Sequence, residues 1–77
     1  MNKYIATFYS HFGALTYNKE LKNQGIESKL MPVPRKISSS CGTCVCYEHT
    51  SIIVSDECEL ESVYSEKDGK LICELST

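Results

Sequence analysis

Seventy-seven residues, 42% apolar and 23% charged, make one small globular domain with a modest core. A net charge of −2 gives no electrostatic reason to expect nucleic acid, and no apolar run approaches the roughly 18 residues that span a membrane. Residues 1–17 build no long apolar stretch of the signal-peptide kind, so a cytoplasmic protein is expected.

The first predicted element is a strand over residues 3–9, apolar on both faces and rich in aromatic and β-branched types, as a central strand requires. Ser10 then caps a helix from about His11 to Gln24, its hydroxyl accepting from an early helical N–H. Ala14, Tyr17 and Leu21 form the buried stripe, with Phe12 and Leu15 expected to widen it, and Gly25 stops the helix. Residues 26–33 read as the next strand, which must end or lie at an edge at Pro32-Val33-Pro34 because proline cannot donate to the ladder. A further strand is expected over 43–48, whereas periodicity does not decide between strand and helix for Ser51–Val54. Residues 62–66 and 70–75 flank Lys67-Asp68-Gly69, a hairpin turn signal.

The expected architecture is α+β. It is a small sandwich spanning 1–77 as one domain, opening β-α-β, with a mixed or antiparallel sheet of about four strands and one or two helices on one face. Charge is uneven along the chain. Residues 1–47 carry six basic and two acidic groups, and residues 48–77 carry two basic and eight acidic groups. The simplest reading is attraction between the two halves within the fold, and the other is two faces that meet different partners.

Chemistry concentrates in residues 34–46, where Arg35 and Lys36 precede Ser38-Ser39-Ser40-Cys41-Gly42, followed by Cys44 and Cys46. Five cysteines in a cytoplasmic chain point to reactive or metal-binding thiols rather than a disulfide framework, and the odd number leaves at least one unpaired in a monomer. A thiol reacts as the thiolate, which nearby cations and N–H groups stabilise, and small neighbours leave room for another molecule. Cys41-Gly42-Thr43-Cys44 is a C-x-x-C pair, but β-favouring residues follow it instead of a helix. A thioredoxin-like oxidoreductase is therefore disfavoured, while a reversible Cys41–Cys44 disulfide stays open. Cys41, Cys44, Cys46 and His49 could ligate a metal. If the segment is extended, however, Cys44 and Cys46 share one face and His49 takes the other, and no second C-x-x-C completes the set. Cys58 and Cys73 lack thiol neighbours in sequence, and Cys73 reads as a small buried hydrophobe. His11 reads as a satisfied polar residue at a helix start that could face the cysteine loop, and the aromatic residues read as core and rim.

Three stretches carry a resemblance: Ala6-Thr7-Phe8-Tyr9-Ser10-His11, Leu30-Met31-Pro32-Val33-Pro34-Arg35 and Ile37-Ser38-Ser39-Ser40-Cys41-Gly42. From Tyr4 to Cys41, about half its length, the chain resembles the selenium/sulfur carrier protein-like family of short bacterial proteins, first described as a domain of unknown function. The resemblance implies a carrier that holds sulfur or selenium on Cys41 as a persulfide or selenosulfide. It would relay the atom between donor and acceptor proteins and would not itself be an enzyme. On that reading Arg35, Ser38, Ser39, Ser40 and Gly42 shape the pocket, their donors settling an anionic terminal chalcogen. Cys44 and Cys46 depart from the family pattern, and Cys44 becomes a candidate resolving thiol that would turn a persulfide on Cys41 into a disulfide. No cofactor is implied. The alternative is a redox-sensing or metal-binding regulatory or accessory module that uses Cys41, Cys44 and Cys46, with a homodimer as one way to complete it.

Overall fold

The computed structural model describes residues 2–54 and 58–76. Strand β1 (Asn2–Phe8) leads into helix α1 (His11–Asn23), and four strands follow: β2 (Ser28–Pro32), β3 (Thr43–His49), β4 (Leu60–Lys67) and β5 (Lys70–Ser76). The sheet order is β2-β3-β1-β4-β5 and every neighbouring pair is antiparallel. The α+β class and the single covering helix agree with the sequence reading. The sheet has one strand more than expected, and β3 lies between β1 and β2. The opening β-α-β unit is therefore split, because the chain returns from β2 directly into β3, which fills the gap.

Residues 4–8 of β1 are buried on both faces, as a central strand demands. Tyr4, Ala6 and Phe8 meet α1 through Ala14, Tyr17 and Leu21. Phe12 and Leu15 do not widen that stripe, since Phe12 is 75% exposed and Leu15 43%. Each sits two positions from a buried residue, about 200° around the helix, and so points away from the sheet. Ser10 caps α1 as expected, its hydroxyl accepting from the Gly13 N–H at 3.1 Å. At the other end Ile26 N–H donates to Leu21 O and Gly25 N–H to Lys22 O. This double closure needs the positive φ of 77° that Gly25 supplies.

Tyr4, Tyr17 and Tyr47 join Phe8 in an aromatic cluster with ring centroids 5.0–5.8 Å apart. Two of the tyrosine hydroxyls clamp the segment whose type the sequence left open. Tyr17 OH donates to Ile53 O at 2.6 Å, and Ile53 N–H donates to Tyr47 OH at 3.3 Å. Residues 51–54 are neither helix nor strand. The backbone of Ile53 finds both of its partners on side chains. The β4–β5 hairpin turns at Asp68 (φ 52°) and Gly69 (φ 77°), two consecutive left-handed residues that match the twist of the flanking strands. Among the described residues no helix is long and apolar enough to cross a membrane.

Candidate functional site

The sheet face opposite α1 carries a second, smaller core of Ile5, Cys44, Cys46 and Ile37. It is roofed by the cysteine loop, residues 33–42. Val33 N–H donates to Gly42 O, which prolongs the β2–β3 pairing by one step, and Ile37 N–H donates to Pro34 O in a turn. That turn lowers the Ile37 side chain onto Ile5, Cys44 and Cys46 until it is 7% exposed. The loop next reaches the end of β1, where Ser39 Oγ donates to Phe8 O at 3.3 Å. Ser40 is anchored twice on one carboxylate, its N–H 3.2 Å and its hydroxyl 2.9 Å from the Glu61 oxygens. The serine run is therefore a packed strap.

The strap ends at Cys41, on the rim of the sheet. Its side chain is half-buried and packs against the helix-side core, and its thiol donates to Thr43 O at 3.2 Å. Gly42 follows with φ 74° and open space where a side chain would stand. Across the rim lies the start of α1, with the exposed His11 Nδ1 3.1 Å from Thr43 Oγ1. Thr43 thus contacts the thiol through its carbonyl and the imidazole through its hydroxyl. The first turn of α1 is held in place by Glu59, which accepts a short bond from Ser10 Oγ and whose carbonyl accepts from Tyr9 N–H. Gly13 allows that approach, because a Cβ there would lie 2.0 Å from the Cys58 carbonyl oxygen.

Cys44 and Cys46 are built differently. Strand alternation points both to the far face, with Val45 and Tyr47 on the helix side, as the sequence reading expected. Cys44 is fully buried and donates to Pro32 O at 3.7 Å. Burial, with smaller contributions from Cys46 and Cys41, pushes its thiol up to about 11. Burial also raises Cys46, against the opposing pull of Lys3 and Lys29. Cys41 and Cys44 therefore pack into opposite cores despite their C-x-x-C spacing. Among the described residues no three His, Cys, Asp or Glu side chains come together as a metal set.

The remaining site residues separate. Ser39, Ser40 and Gly42 lie in the strap that carries Cys41, and Ser38 is an exposed member of it. Arg35 lines a groove on the far face with Lys3, Lys29 and Cys46. Two of the remaining thiols part as well. Cys58 is fully buried. Cys73 corrects the sequence reading: it is exposed, because β5 is an edge strand that presents most of its residues to solvent, and its thiol donates locally to Leu75 O. Thr43, Glu59, Glu61 and Gly13 also shape the site without standing out in the sequence as candidates. Gly13 alone left a signal, a glycine within a helical pattern, which marks a close backbone approach.

A half-buried thiol on the sheet rim, followed by glycine and joined through Thr43 to the start of α1, defines the class as a small thiol-bearing α+β domain. The chain belongs to the family described as "Putative Se/S carrier protein-like", which it matches over residues 3–68. That match extends past Cys41 and through β4. The chain has no match among curated proteins and none among solved structures.

Proposed function

We propose that this protein carries sulfur or selenium on Cys41 and relays it between a donor protein and an acceptor. The observation that carries the reading is the separation of the three clustered thiols. Cys44 and Cys46 are built into a core, whereas Cys41 stands half-exposed on a rim with open space at Gly42. The family membership supports the same chemistry. In the loading step the Cys41 thiolate attacks the outer chalcogen of a donor persulfide or selenosulfide. A new S–S or S–Se bond forms, the donor's own bond to that atom breaks, and the donor thiolate leaves, so no net oxidation occurs. His11, held to Thr43 at the same rim, accepts the Cys41 proton in this reading. Cys44 has no resolving role in it, because its thiol is buried on the other face and keeps its proton well above neutral pH.

The test is intact-protein mass spectrometry after incubation with a protein persulfide donor and, separately, with selenite plus thiol. A gain of one sulfur or selenium that maps to Cys41 and disappears in Cys41→Ser is expected. No adduct, or one that persists without Cys41, would overturn the reading. His11→Asn should slow loading roughly tenfold or more at neutral pH while leaving the final adduct unchanged. An unaltered rate would remove His11 from the mechanism.

A further inference from the structure

The far face of the sheet is only partly roofed by the strap, and beside Ile37 it opens into a groove of about 460 Å³. Its floor is apolar, formed by Ile5, Met31, Cys46 and Leu71, and its wall is cationic, formed by Lys3, Lys29, Arg35 and Lys36. These four are half of the eight basic residues in a chain whose net charge is −2. They arrive from three places in the chain, namely β1, β2 and the strap, and among the described residues Glu66 is the one carboxylate that lines the groove with them. Lys3 is paired across the sheet with Glu48 and Glu66, whereas Lys29, Arg35 and Lys36 leave the groove wall with more positive than negative charge. Like charges gathered within one groove repel one another, and an anionic occupant relieves that repulsion.

We propose that this groove docks an extended acidic segment of a partner protein, with an apolar side chain on the floor and carboxylates against the lysine and arginine wall. The apolar floor is what a small anion would leave uncovered. A continuous polyanion fits poorly for another reason. The groove runs into a smaller one of about 210 Å³ that shares Lys3, Lys29 and Cys46 and is flanked by Glu27 and Glu48. Those two carboxylates would oppose a phosphate backbone passing through, whereas a short acidic run with a basic residue beyond it meets both signs. The docking site lies on the opposite face from the core that packs Cys41, so a partner held there leaves the rim open.

The experiment is an NMR titration of the whole protein with a synthetic peptide, Ac-EDLEDLK-NH2, alongside a Gln/Asn-substituted version and a thymidine oligonucleotide. Saturable amide shifts confined to Lys3, Lys29, Cys46 and Leu71 are expected, absent with the uncharged peptide and weakened at least threefold between 50 and 200 mM salt. Lys3→Glu with Lys29→Glu, both exposed, should abolish those shifts while leaving chalcogen loading on Cys41 unchanged. Equal binding of the uncharged peptide, shifts located elsewhere, no shifts at millimolar peptide, or tighter binding of the oligonucleotide at the same residues would each overturn the proposal. Because docking and loading are read separately, failure of one does not mimic failure of the other.

Discussion

Cys41 and Cys44 are three residues apart and belong to different parts of the molecule. Cys44 is a member of a strand paired on both sides, with a pleat that admits only two directions, and its direction leads into a roofed core. Cys41 precedes the strand, on a strap fixed by contacts to Phe8 and Glu61 that lie far away in sequence. The core cysteine is buried because of where its strand points, and the rim cysteine is half-exposed because of where the strap ends. Spacing in sequence therefore misleads here. A C-x-x-C pair brings its thiols together when a helix turn follows, and it separates them when the second cysteine enters a sheet.

The largest expected effect comes from disturbing the rim alone. In Gly13→Ala the added carbon would meet a backbone carbonyl at 2.0 Å, and neither helix nor loop has a flexible group to yield. The gain of about 1 kcal/mol in helix propensity is outweighed, and a net loss of about 2–3 kcal/mol is expected by denaturant unfolding. Because the first turn of α1 bears His11, Cys41 should change its alkylation rate while Cys44 stays protected. Equal changes at both thiols would mean that rim and core are one cooperative unit, and the comparison would break.

High pH sharpens the same contrast from the other side. Cys44 keeps its proton up to about 11 in the folded protein, above the ordinary thiol value of about 9. Its contribution is fully present below about pH 9, where folded and unfolded chains hold the same proton. It is lost as pH rises toward 11, because the unfolded chain gives up the proton first. Roughly 2–3 kcal/mol is at stake. Burial raises Tyr17 and Tyr47 as well, which adds to the alkaline loss. Unfolding curves of Cys44→Val should therefore flatten between pH 9 and 11 relative to wild type without becoming level. Cys41→Ser serves as the control. An unchanged slope in Cys44→Val would remove the thiol from the buried core.

How much of this was legible in the sequence depended on how local the cause is. The Ser10 cap, the Gly25 stop, the Asp68-Gly69 turn and the two-sided burial of β1 all follow from residues within a few positions of each other, and all are present. The alternation that parts Cys44 and Cys46 from His49 is local too. What escaped was decided across the chain. The split β-α-β arises because β3 pairs with both β1 and β2. Arg35 turns toward the far face because Ile37, two residues on, is drawn into a core made by Ile5 and Cys46. Cys73 resembles a core residue in its Ile-Cys-Glu setting, and only its place on the sheet edge exposes it. The charge asymmetry could be counted in the sequence, but its gathering into one groove needed the register of three strands.

The smallest expected effect concerns the strap itself. Ser40→Ala removes the hydroxyl bond to Glu61 and leaves the backbone N–H bond in place. The site is exposed, so the stability cost should be about 0.5 kcal/mol or less. The consequence for Cys41 should be larger in proportion, since Ser40 is its immediate neighbour and the hydroxyl is one of its two ties to Glu61. A rim held by the strap predicts that Cys41 alkylates measurably faster in Ser40→Ala, with Cys44 and Cys46 unchanged in a peptide-resolved mass assay. If all three thiols accelerate together, the strap is roofing the far core through Ser40. Rim and core would then be joined through that one residue, where the structure places a boundary between them.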